Sequence, residues 1–210
     1  MNIIQGSSEP NKSISGIMSQ AGQVSGGNPI VGFTGVNLRG RMNERLKPIT
    51  RKGLRELIEN PSRETKEVPT DKDELKAFKE TLPYIWPGGE SLQVPPVFMH
   101  CLSGDLDKHN PQKAWLIEIL KALGVPSFML HTTTASKPDD LRWRLFVPLA
   151  QPVEVALWAG LQKALKVALS GDKVAFEIDR VMYLPCRTPD YDFHIEEGDL
   201  LSVYLGGGHE

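Results

Sequence analysis

The stretch Val97-Phe98-Met99-His100-Cys101-Leu102-Ser103-Gly104-Asp105-Leu106-Asp107 runs an apolar, strand-forming segment into two carboxylates. In an extended chain, side chains at spacing two share a face, so Asp105 and Asp107 point the same way. Two adjacent carboxylates raise the cost of ionising each other. A divalent cation removes that cost, and a site built of oxygens favours Mg²⁺ or Mn²⁺. Asp-x-Asp also occurs in turns and on solvated surfaces, so the pattern around it decides its meaning.

Downstream the pattern is regular. Asn110 and Pro111 are suited to open a helix that carries Trp115, Leu116, Ile119, Leu120 and Leu123 and ends at Gly124. A second strand is predicted over Ser127 to Thr134, followed by a loop over 135–141. Arg142 to Leu149 alternates clearly, with Trp143, Leu145 and Val147 on one face and Arg142, Arg144 and Phe146 on the other. Pro152 opens a second helix that Gly171 ends, and Phe176 to Leu184 supplies a fourth strand halted by Pro185. Strand, helix, strand, strand, helix, strand is the split β-α-β order of ferredoxin-like and RNA-recognition-motif-like folds, hence an α+β class with a βαββαβ unit. In that topology the first and third strands are central neighbours. Asp105 and Asp107 are therefore predicted to lie near Arg142 and Arg144. One sheet face packs on the two helices, and the other is free to carry a site.

Thr132, Thr134 and Ser136 repeat at spacing two and place a row of hydroxyls on one side of the second strand, with His131 opposite them, toward core or helices. Each of these features alone is equally a solvated strand face, since Thr favours strands. Together, carboxylates, hydroxyls and guanidiniums on one free face point to a metal–phosphate site. Carboxylates hold cations, Arg forks clamp phosphate oxygens, and hydroxyls add hydrogen bonds.

Upstream, residues 1–30 are rich in Ser, Gly, Asn and Gln and read as a disordered N-terminus. Residues 31–96 read as a small helical N-terminal part, with one helix near Leu46 to Asn60 and another over Asp71 to Leu82. Pro83, Pro87, Gly88, Gly89, Pro95 and Pro96 then break the chain into loop. The split unit spans 97–190, and 191–210 is a C-terminal extension. Arg39, Arg41, Arg45, Lys47, Arg51, Lys52 and Arg55 fall in one stretch opposed only by Glu44. That run is either a solvated helix face or a phosphate-contacting arm or patch, and Arg39, Arg41, Arg45, Lys47, Arg51 and Lys52 are the residues that would bind nucleic acid.

The 210 residues suffice for one good core, and 40% hydrophobic content is ordinary for a soluble protein. There is no membrane-spanning apolar run and no secretory leader pattern, so a cytoplasmic location is expected. Cys101 and Cys186 read as buried thiols, and no Cys/His cluster suggests zinc. A net charge of −2 does not suit a duplex-coating protein.

Gly104-Asp105-Leu106-Asp107, a helix, His131-Thr132-Thr133-Thr134-Ala135-Ser136, Arg142-Trp143-Arg144-Leu145-Phe146-Val147-Pro148-Leu149, and the later Asp179-Arg180-Val181-Met182-Tyr183-Leu184-Pro185 together resemble the catalytic region of archaeo-eukaryotic primases. The likeness is greatest to the primase-polymerase domains of phage and plasmid replication proteins, and covers about residues 45–190. The resemblance implies a two-metal nucleotidyltransferase that joins nucleotides on a single-stranded DNA template and works with nucleoside triphosphates and, in some relatives, a replicative helicase. By position it implies Mg²⁺ or Mn²⁺ on Asp105, Asp107 and Asp172, with Asp179 the rival third carboxylate. Thr134, Ser136, Lys137, Arg142, Arg144 and Arg180 would bind the nucleotide. Lys137 stands where the family usually has His. That departure motivates an alternative: a primase-like DNA-binding or replication-initiation protein that keeps the fold without the chemistry. A third reading is a ferredoxin-like interaction module with Asp-x-Asp as a surface turn.

Overall fold

A computed structural model describes residues 28–36, 45–107, 109–169, 178 and 180–203. The elements are β1 (Ile30–Val36), β2 (Lys47–Thr50), α1 (Arg51–Glu59), α2 (Lys72–Glu80), β3 (Pro83–Trp86), β4 (Phe98–Leu106), α3 (Lys113–Ala122), β5 (Phe128–Thr132), β6 (Trp143–Glu154), α4 (Val155–Leu169), β7 (Met182–Tyr183) and β8 (Phe193–Glu196). They form an α+β fold with two antiparallel four-stranded sheets, ordered β2-β1-β3-β7 and β4-β6-β5-β8.

In the second sheet, β4 and β6 are neighbours and Asp105 stands opposite Arg144, as the split β-α-β order requires. Trp143, Leu145 and Val147 turn to the helices and share a core with Leu116 and Leu120 of α3 and Trp158, Leu161 and Leu165 of α4. Burial of this apolar face holds both helices on the sheet. Asn110 does not cap α3. Its backbone takes a left-handed conformation (φ 50°), its side-chain oxygen accepts from the Leu141 N–H at 2.7 Å, and Gln112 occupies the cap position.

The fourth strand differs from expectation. Of Phe176 to Leu184, only Met182–Tyr183 is extended among the described residues, and it pairs with β3 in the first sheet. The edge of β4 meets α4 instead. The Trp158 indole N–H donates to the Cys101 carbonyl (2.9 Å). The Gln162 amide accepts from Ser103 N–H (3.0 Å) and donates to its carbonyl (2.9 Å). These side chains satisfy backbone groups that an adjoining strand would otherwise pair. The sheet's fourth strand is β8, on the far edge beside β5. It comes from the segment assigned to a C-terminal extension.

The N-terminal part is not merely helical. Expected helices form as α1 and α2, but β1, β2 and β3 also form part of a sheet. Pro83, expected to break the chain, instead opens a strand, and Tyr84, Ile85 and Trp86 are strong strand formers. Gly35 lets the Tyr84 ring approach; a Cβ there would lie 2.5 Å from it. This sheet and α1 cover part of the face expected to be free: Cys101, Met129 and Phe146 pack with Val31, Ile49, Leu54 and Ile85. The other end of that face carries Asp105 and Arg144, with Tyr183 of β7 against the arginine. Among the described residues no helix is long and apolar enough to cross a membrane.

Candidate functional site

Asp105 lies near the end of β4 and Asp107 one residue past it, both half-buried. Across the strand pair, Arg144 is only 8% exposed. Its guanidinium donates to the Tyr183 carbonyl at 2.6 Å and sits 5.5 Å from the centre of the Tyr183 ring. Its Nε is 3.8 Å from Asp105 Oδ1, an ion pair too long for a hydrogen bond. That buried N–H has no hydrogen-bond partner among the described residues. β7 therefore matters to the site: by pairing with β3 it brings the Tyr183 backbone and ring against an arginine of the other sheet.

His131 stands on the opposite side of Arg144 in register. The expectation that it faces away from the site side of the strand is corrected. Thr132 pairs with Trp143 on the helix side, while His131 shares the Arg144 and Phe146 face and stacks on Phe146 with ring centres 5.9 Å apart. Strand β5 stops at Thr132, so Thr134 and Ser136 belong to a turn and the expected row of hydroxyls is broken. His131 is fully buried, and burial, then the Arg144 charge, push its pKa down to about 3. Its Nδ1 lies 2.9 Å from the Thr132 carbonyl and must be the protonated nitrogen there, leaving Nε2 an acceptor without a hydrogen-bond partner among the described residues.

Sequence reasoning missed Lys79. This half-buried residue on α2 has its pKa lowered by burial and by Arg144 and Arg142, while Asp105 and Asp107 act to raise it. Lys79 is thus within electrostatic reach of both carboxylates and both arginines. Its only sequence signal is its place beside Phe78 on a helix face that is not fully solvated. Tyr183 is likewise new: burial and the Glu80 charge raise its phenol pKa, with Arg144 and Arg180 opposing. Arg180 itself is exposed.

A cleft of about 310 Å³ lies between the β5–β6 turn and residues 66–70; Thr134, Ser136, Lys137 and Arg142 line it, whereas Asp105, Asp107 and Arg144 do not. Ser136 Oγ accepts from the Arg142 N–H (3.2 Å), and the Arg142 guanidinium makes two bonds to Asp140, at 3.0 and 2.6 Å. Arg142 thus belongs both to the cleft and to the surroundings of the carboxylates.

Among the described residues the basic run is largely paired with carboxylates, Arg51 and Arg55 sharing Glu197. Arg45 pairs with Glu90, Arg51 with Glu197 at 3.2 Å, and Lys52 loosely with Glu56 at 3.9 Å. Arg45 and Lys47 line a separate hollow of about 160 Å³ beside Thr34 and Tyr84. Arg39, Arg41, Asp172 and Asp179 lie outside the described residues. Among the described residues no three His, Cys, Asp or Glu side chains cluster as a metal site. Two carboxylates nevertheless fit a hard divalent cation, since Mg²⁺ is commonly held by one or two carboxylates with water and substrate phosphates filling the remaining positions.

Comparison with known proteins adds one likeness. No family pattern and no curated protein matches the chain. A solved structure, the primase-polymerase domain of cyanophage S-2L, is similar over 64% of this chain and 74% of its own, with 21% identity and a TM-score of 0.44.

Proposed function

We propose that the chain is a primase-polymerase-type nucleotidyltransferase domain of a phage or plasmid replication protein, acting on a single-stranded DNA template with nucleoside triphosphates. The observation that carries this reading is the buried Arg144 set beside Asp105, its Nε 3.8 Å from Oδ1 and without a hydrogen-bond partner among the described residues. A buried guanidinium with spare donor capacity suits an anionic ligand, and phosphate oxygens match its fork. Asp105 and Asp107, with Asp172 as third carboxylate, would hold Mg²⁺ or Mn²⁺. When bound, such cations lower the pKa of an attacking 3′-hydroxyl and neutralise the departing pyrophosphate. The chain's own groups position the reactants. Arg144, fixed by Tyr183, and Arg142, fixed by Asp140, would orient phosphates; Lys79 adds positive charge from α2; Thr134, Ser136 and Lys137 line the cleft.

The test is incorporation of labelled nucleotides on single-stranded DNA with Mg²⁺ or Mn²⁺. Wild type should form products that Asp105→Asn/Asp107→Asn does not. Equal inertness of two folded proteins would overturn the reading. A second reading, a DNA-binding protein with the same fold and no chemistry, is favoured by Lys137 in place of His. It requires salt-sensitive DNA binding indifferent to divalent metal.

A further inference from the structure

The cleft has a wall that the nucleotide reading did not include. Residues 66–70 run between two fixed points. At one, Thr65 N–H donates to the Arg187 carbonyl (2.9 Å) and Arg187 N–H to the Arg63 carbonyl (2.8 Å), tying the strap to the segment that follows β7. At the other, the Asp71 carboxylate caps α2 by accepting from Asp73 N–H (2.9 Å) and Glu74 N–H (3.0 Å). Between these anchors Lys66, Val68, Pro69 and Thr70 border the cleft, facing the β5–β6 turn that supplies Lys137.

Charge sorts the contacts. The cations lining the cleft are Lys66, Lys137 and Arg142, and the carboxylates are Asp140 and Asp190. Asp140 is committed to Arg142. Lys66 and Lys137 are both exposed at the cleft, on different walls. Arg142 directly precedes β6, whose Trp143 and Arg144 pair with Leu106 and Asp105, whereas Lys66 lies on the strap, on another wall of the cleft. Arg142 is thus the lining cation nearest in register to the carboxylates, and the strap is the wall away from them.

We propose that the strap is the outer wall of a polyphosphate site, with Lys66 contacting the terminal phosphate of a nucleoside triphosphate and thereby setting the preference for three phosphates over two. This rests on the nucleotide reading above and adds a residue to it. Exposed lysine–phosphate contacts are screened by water, so the expected loss is modest, roughly three- to tenfold in Kd.

The experiment is calorimetric titration of the full chain, without divalent metal, using inorganic tripolyphosphate and pyrophosphate. Wild type should bind tripolyphosphate more tightly. Lys66→Ala should lose roughly three- to tenfold for tripolyphosphate and little for pyrophosphate. Lys137→Ala should weaken both, and Lys66→Arg, which keeps the charge, should stay near wild type. The inference is overturned if Lys66→Ala binds tripolyphosphate as wild type does, if Lys66→Arg is as weak as Lys66→Ala, or if wild type binds neither probe. Polymerase activity is judged separately by nucleotide incorporation, so a polymerase indifferent to Lys66 would refute the strap contact alone.

Discussion

Arg144 concentrates the physics of the site in one side chain. It is a cation almost removed from water, supported by one carbonyl, one aromatic face and a carboxylate just beyond hydrogen-bond range. Lysine would keep the charge and lose the planar fork. Arg144→Lys should therefore cut nucleotide incorporation at least about tenfold and destabilise the fold by about 1–3 kcal/mol, read from rates and urea midpoints. His131 makes a pH prediction. Folded, it stays neutral down to about 3, because burial and then Arg144 oppose its protonation; unfolded, it takes a proton near 6.5. The unfolded chain binds more protons between those values, so this contribution is present above about 6.5 and is lost as pH falls toward 3. The slope approaches about 1.4 kcal/mol per pH unit. His131→Phe should flatten that part of the pH–stability curve, measured by denaturant unfolding between about pH 4 and the unfolded value of 6.5; an unchanged slope would refute the assignment. The carboxylate pair was legible because spacing two has one meaning in a strand. The facing of His131 was not, because it depends on pairing with β6 and on where β5 stops, neither of which alternation within one segment supplies.

At the scale of elements, α4 does more than cover a sheet face. Trp158 and Gln162, four apart and so on one side of the helix, bind Cys101 and Ser103, two apart on the strand. The second contact lies two residues before Asp105, which links the register of the strand's carboxylate end to a helix. Gln162→Leu removes both partners of the Ser103 peptide groups in a buried setting, and should cost about 1–3 kcal/mol in urea unfolding. A change within a few tenths would show that the clamp contributes little. The helices and the three strands β4, β5 and β6 were readable from apolar periodicity and breakers. The strands β1 to β3 and β8 were not: β1 carries Gly, β2 and β3 carry Pro, β8 has only four residues, and all are stabilised by partners distant in sequence rather than by a local pattern. The edge clamp was equally hidden, since a buried Gln inside an apolar helix face does not announce its partner.

Across the whole molecule, the first sheet and α1 bury one end of the second sheet's open face, and at the other end Tyr183 of the first sheet packs on Arg144 beside Asp105. The sequence could place carboxylates beside arginines, but not Lys79, the strap or Tyr183, because these arrive from elements whose docking is a long-range property. The central claim is that carboxylates and cleft form one site for a metal-bound nucleoside triphosphate. The direct measurement is Mn²⁺ binding followed by electron paramagnetic resonance, with and without nucleoside triphosphate, in wild type and Asp105→Asn/Asp107→Asn. Each ligand should tighten the other in wild type, as reciprocal linkage demands, and the variant should lose the coupling while remaining folded. Nucleotide affinity indifferent to Mn²⁺, or coupling that survives the loss of both carboxylates, would contradict the account.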